Sequence, residues 1–194
     1  MARTKSFNES EALESAMLLF WQKGYAATSM RELEQITGLK LTSIYNTFGN
    51  KRELFQKVLE YYLQTTLVRF IESLASEKTT RAALNAVLKE VIHLHYNKSH
   101  PGGCLIVLSL LESDQHDAKT IKTLNSALHQ LQKSITQRLE EGQMKGEIGP
   151  EKNCQVLGNH VIALITGMIT MAKAGFSRKE LEKLINSSTD MFFQ

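Results

Sequence analysis

Residues 24–55 read GYAATSMRELEQITGLKLTSIYNTFGNKRELF, and the punctuation in this stretch is that of short helices set close together. Ser29 with Glu32, and Asn50 with Glu53, have the spacing of an N-cap and the acid that completes a capping box, so each pair predicts a helix start. Gly24, Gly38 and Gly49 stand where the preceding helical pattern stops, as glycines at helix C-termini do. Between these marks lie a helix over about 29–37, with Leu33 and Ile36 on its apolar face, and a shorter one over about 41–47, with Ile44 and Phe48 inward. A fourth opens at Lys51, where Leu54, Phe55, Val58, Leu59 and Tyr62 recur at helical spacing. Upstream, Asn8 with Glu11 opens a first helix over about 8–24, with Leu13, Met17 and Phe20 along one side. Two short helices across a tight glycine turn make a helix-turn-helix, whose second helix is the one that can enter a major groove.

The outward residues of that second helix are Lys40, Thr42, Ser43, Tyr45, Asn46 and Thr47. Small hydroxyls, an amide and a phenol suit phosphate oxygens and base edges. Lys51 follows at a helix start, where its charge and the unpaired N–H groups of that helix end would both face an anion. The local charge agrees: residues 38–57 carry Lys40, Lys51, Arg52 and Lys57 against Glu53 alone, and Arg3 and Lys5 precede the first acid. The whole chain is only +3, too little to imply a polyanion partner without this clustering.

Gly24, Tyr25, Thr28, Ser29, Gly38, Leu39, Tyr45, Phe48, Lys51 and Leu54 together resemble the DNA-binding segment of TetR/AcrR-type transcriptional regulators in order, spacing and helix context. Glu34, where the family usually has a small residue, and Thr42, where Gly or Ala is common, depart from it. The resemblance implies an all-α fold of about nine helices. An N-terminal three-helix DNA-binding bundle (1–50) would precede an effector-binding and dimerisation domain (51–194). It also implies that Tyr45, Lys51, Thr28 and Ser29 grip phosphates, while Lys40, Thr42, Ser43, Asn46 and Thr47 divide between backbone and base edges. Arg3 and Lys5 would form an arm on the duplex. Partners would be double-stranded DNA, an unknown small-molecule effector and a second copy of the chain. Two-fold symmetry would match a palindromic operator with half-sites ~34–36 Å apart or a related spacing.

Beyond residue 60 helices are expected at about 80–97, 117–145, 151–174 and 177–193, with an apolar segment from Leu105 to Leu111 after Pro101-Gly102-Gly103. The resemblance places the dimer contact on the last two helices, with Leu157, Val161, Leu164 and Met168 as candidates. It places the effector among the helices of the second domain, with Phe70, His93, Tyr96, Cys104, Leu108 and His129 as candidate lining. Cys104 follows two glycines at a helix start, where the dipole would lower a thiol pKa. An electrophile- or oxidant-responsive switch at Cys104 is therefore an alternative, and an effector-free DNA-binding architectural protein is another.

Composition narrows the classes. Hydrophobic residues at 42% and charged residues at 22% are ordinary for a globular chain, and only 2 prolines and 11 glycines favour long helices over a many-turned sandwich. No apolar stretch follows the first residues, so no signal peptide is expected. The longest apolar run, 161–172, falls short of the ~20 residues of a membrane span. Two cysteines make no disulfide framework, which points to a cytoplasmic protein. His93 and His95 are two apart, on nearly opposite helix faces, and no HExxH, CxxC, phosphate loop or nucleophile elbow occurs. Neither a metal, a cofactor nor an enzyme activity is expected.

Overall fold

A computed structural model describes residues 8–193, so the arm residues Arg3 and Lys5 lie outside the described part. Nine helices, and no strand, occur among the described residues. The first three are α1 (Glu9–Lys23), α2 (Met30–Thr37) and α3 (Leu41–Phe48). The helix α4 runs as Lys51–Tyr62, a π-helical stretch Leu63–Leu67, and Val68–Ser76. Then follow α5 (Thr80–Tyr96), α6 (Leu105–Leu111), α7 (Ala118–Met144), α8 (Cys154–Lys173) and α9 (Arg178–Phe193).

The expected starts are made by the expected side chains. Ser29 Oγ accepts from Glu32 N at 3.2 Å while Ser29 N donates to Glu32 Oε2 at 2.9 Å, and Asn50 and Glu53 reciprocate in the same way. Gly38 turns the chain between α2 and α3 with φ +68°, a left-handed conformation that costs a residue bearing a Cβ. The sequence pattern did not reveal the π stretch inside α4. Its residues LQTTL keep helical hydrophobic spacing, so periodicity alone cannot register the extra residue per turn.

α1, α2, α3 and the first half of α4 form a head. Leu33, Ile44, Phe48 and Leu54 fill it, and Phe20, Tyr25 and Phe55 form an aromatic cluster in which Phe55 stands 5.0 Å from Phe20 and 4.9 Å from Tyr25. The second half of α4 enters the body, packing on α5 and α7, while α7 lies along α8 and α9 along α5. Leu84, Leu88, Ile135, Leu139, Val161, Met168 and Leu181 are fully buried there. One continuous helix thus belongs to both parts.

Among the described residues, α8 alone is long and apolar enough to cross a membrane. The apolar run 161–172 looked too short because Asn159 and His160 interrupt it, but the helix extends to Cys154. Val161, Ile165, Met168, Ile169 and Ala172 on α8 are buried against the rest of the chain.

Candidate nucleic-acid interface and core cavity

Helix α3, the second of the helix-turn-helix pair, is anchored by Ile44 and Phe48, which are buried, and this turns Lys40, Thr42, Tyr45 and Asn46 outward. Tyr45 is 50% exposed, unusual for a ring of its size on a helix with an available core. Ser43 and Thr47 are half-buried at the edges of that face. Six of the expected residues therefore share one side of one helix. A residue not expected to matter sets its start: Lys40, the N-cap, makes no side-chain cap, and Glu34 on α2 instead accepts from Leu41 N at 3.0 Å. No local spacing signals this, because the partner lies seven residues away across the turn.

Three phosphate candidates are placed differently from expectation. Thr28 is 1% exposed, its hydroxyl donates to Gly24 O at 2.7 Å and its N–H to Tyr25 O at 3.3 Å, so it holds the turn and has no donor left for DNA. Ser29 is exposed, but its single hydroxyl hydrogen goes to Glu32 Oε2 at 2.8 Å. The start of α2 is already covered by that carboxylate. The Lys23 ammonium bonded to Glu32, together with the Ser29 donors, holds its pKa down to about 2. At the start of α4, Asn50 Oδ1 accepts from Arg52 N and Glu53 N, so those N–H groups are not waiting for an anion. Lys51 itself lies 4.5 Å over the Tyr25 ring and donates to Ala26 O at 3.3 Å. Burial pulls its ammonium below the ordinary value, with Glu112 opposing. Two of its three N–H donors remain.

The same turn is gripped from the body. Glu112, the C-cap of α6, accepts from Tyr25 N at 2.8 Å. Gly24 has φ +84°, and a Cβ there would run into the Glu112 carboxylate. Just beyond, the His116 ring stacks on Phe55 at 5.1 Å and tilts against Tyr25 at 4.8 Å. Glu112 stands 87 residues from its partner, so no spacing rule could have found it.

The other end of α6 faces a cavity of about 20 Å³ in the body, walled by Leu67 and Phe70 of α4, Val91 of α5, Cys104 before α6, Val107 of α6 and Ile165 of α8, among others. Of the expected effector residues only Phe70 and Cys104 line it. His93 and His129 are exposed, because each lies on the outer face of its helix. Tyr96 donates its hydroxyl to Phe176 O and so ties α5 to the α8–α9 turn. Leu108 borders a groove between α6 and the end of α1 instead. The Cys104 environment also differs from expectation. Burial pushes its thiol up, outweighing the Tyr62 hydroxyl at 3.3 Å and the N–H groups of Ile106 and Val107. Both cysteines are unbridged, and no group of His, Cys, Asp or Glu among the described residues is arranged to hold a metal.

On α8, Val161 and Met168 are fully buried inside the protomer, while Leu157 and Leu164 are half-buried. The exposed stripe is instead Val156, His160, Ala163, Gly167 and Thr170. The inward and outward faces of an apolar helix look alike in sequence when both carry aliphatic or small residues.

Comparison with known proteins agrees with this architecture. The family model described as "Bacterial regulatory proteins, tetR family" matches residues 12–58, and the one described as "Tetracyclin repressor-like, C-terminal domain" matches residues 80–187. The chain belongs to the TetR family of transcriptional regulators. It is 30% identical over 187 residues to the HTH-type transcriptional repressor ComR of Escherichia coli (strain K12), covering 96% of this chain and 89% of that protein. It is 26% identical to the HTH-type regulator YezE of Bacillus subtilis (strain 168), over 78% of each. In fold, this TetR-family chain matches the regulator CifR, solved as a cysteine mutant with 26bp operator DNA, with TM-score 0.88 and 23% identity over 97% of this chain and 98% of that one. A TetR regulator from Chloroflexus aurantiacus matches with TM-score 0.86 and 25% identity over 96% and 95%.

Proposed function

We propose that the protein is a dimeric, sequence-specific DNA-binding repressor, with a head that ends within α4 and docks on DNA, and a body, from the second half of α4 onward, that dimerises and takes an effector. The observation that carries the reading is the exposed side of α3, where Lys40, Thr42, Tyr45 and Asn46 stand on a helix clamped from behind by Ile44 and Phe48. That is the layout for base edges and phosphates in a major groove. The relative ComR is a repressor, which supports repression, and the CifR mutant is bound to operator DNA, which supports DNA binding. Dimerisation would use the exposed stripe of α8, where Ala163 and Gly167 permit close approach; the space outside Gly167 is open within 4 Å.

Release would run through α6. One end of this short helix walls the cavity, and the other holds the Gly24–Tyr25 turn through Glu112. An occupant that moves α6 would move the turn on which α2 and α3 are mounted. A ~100-fold loss of operator affinity requires about 2.7 kcal/mol of differential effector binding between the two states.

The test is binding to DNA immediately upstream of the protein's own gene, titrated against salt with scrambled competitor present. Specific binding that falls steeply with salt is expected. Binding no better than competitor would remove autoregulation and favour an architectural role.

A further inference from the structure

We propose that the cavity behind α6 admits an uncharged, predominantly apolar molecule, of one ring or a short alkyl chain, carrying at most one acceptor that meets Cys104. The proposal rests on the effector reading above and specifies its ligand. Leu67, Phe70, Val91, Leu131, Ile165 and Ile169 supply aliphatic and aromatic wall from four helices, and all are buried. Cys104 is the sole ionisable side chain among the lining residues, and burial keeps its thiol protonated. A charged ligand would lose its hydration there and meet no counter-charge. A neutral apolar one would lose nothing of the kind and would gain contact area.

The one polar group at the wall also has a defined capacity. Cys104 Sγ already accepts from the Tyr62 hydroxyl at 3.3 Å. The thiol then offers a ligand its S–H hydrogen, a weak donor. A hydroxyl or carbonyl oxygen on the ligand complements it.

The present volume of about 20 Å³ holds about one water-sized sphere. The room for a ligand therefore comes from movement of a wall. The wall with an irregular backbone is α4, where the π-helical stretch Leu63–Leu67 ends on the cavity at Leu67 and leads into Phe70. A π stretch is an interruption of regular α bonding. Conversion of that stretch to α geometry would rotate the residues that follow it, Phe70 among them, relative to the cavity. A larger cleft of about 450 Å³ lies between α4 and α7, but it is open and bordered by Lys78, Arg138 and Glu141, with Arg138 already paired to Glu141 at 3.1 Å. It does not touch α6, so it has no route to the head.

The wild-type protein would be titrated by calorimetry and thermal unfolding with two matched trios: benzyl alcohol, benzoate and benzylammonium; and 1-octanol, octanoate and octylammonium. The neutral member of at least one trio is expected to bind and raise the unfolding midpoint, with its charged partners weaker by about tenfold or more. Equal or tighter binding of a charged member, or no neutral binding up to the solubility limit, overturns the proposal. Val107→Phe and Ala127→Leu, each checked for cooperative unfolding, should lose the neutral ligand; retention in both would put the ligand elsewhere and likewise overturn it. Operator release is read in the same titrations. Binding with release supports ligand class and effector role together. Binding without release leaves the ligand class standing and removes the effector role.

Discussion

Thr28 and Tyr45 show how two side chains of the same motif divide the work. Thr28 is sealed in and spends its hydroxyl on Gly24 O, whereas Tyr45 is half exposed on the outer face of α3. Thr28→Ala should therefore cost about 1 kcal/mol in unfolding free energy, with a salt dependence of operator binding like that of the parent. Tyr45→Ala should leave stability within about 0.5 kcal/mol and weaken operator binding. Chemical denaturation and DNA titration at several salt concentrations separate the two. Glu34 belongs with Thr28. It departs from the family pattern, and its carboxylate supplies the cap that Lys40 does not. Glu34→Ala should destabilise the head by about 1 kcal/mol, and Glu34→Gln, which keeps an acceptor, by less.

At the scale of elements, α6 is the connection between cavity and head, and Glu112 is its grip. Losing the carboxylate frees the Gly24–Tyr25 turn, so Glu112→Ala should lower operator affinity about fivefold or more and speed hydrogen exchange at the Tyr25 amide. Glu112→Gln retains an oxygen acceptor and should keep most of both. Equal behaviour of the two variants, both like the parent, would show that α6 does not hold the head. α4 is the second connection. Its first half is built into the aromatic cluster of the head through Phe55, and beyond the π stretch its second half walls the cavity through Phe70.

At the scale of the whole molecule, the exposed stripe of α8 and three half-buried histidines make separate predictions. Ala163→Arg places a charge in the proposed dimer contact and should give a monomer in sedimentation, with operator binding lost because the two heads are no longer linked. Acid should act through His95, His100 and His116. Burial is the main cause that depresses each below its ordinary value of 6.5, and one ring nitrogen of each is buried without a hydrogen-bond partner. Around His116, Glu112, Asp117 and Asp114 oppose that depression without cancelling it. A depressed folded pKa means that the unfolded chain binds more protons, so stability is full above about pH 6.5 and falls as pH drops through the folded values. Thermal midpoints should therefore decline on acidification below that point, and His116→Phe should flatten part of the decline.

What the sequence by itself determined is whatever depends on neighbours along the chain. The capping boxes at Ser29 and Asn50, the glycine turn at Gly38, the inward pair Ile44 and Phe48, and hence the exposed side of α3, all arise within one or two helical turns. The exposed residues of α3, proposed to meet DNA, were legible for that reason. Only the tertiary structure decided which side of α8 is core, which residues meet at the cavity, and that Glu34, Glu112 and Lys51 brace the head. Those pairings join residues brought together by packing. Burial then reverses what local electrostatics predicts, as it does for the Cys104 thiol: desolvation in the body outweighs the helix-end N–H groups.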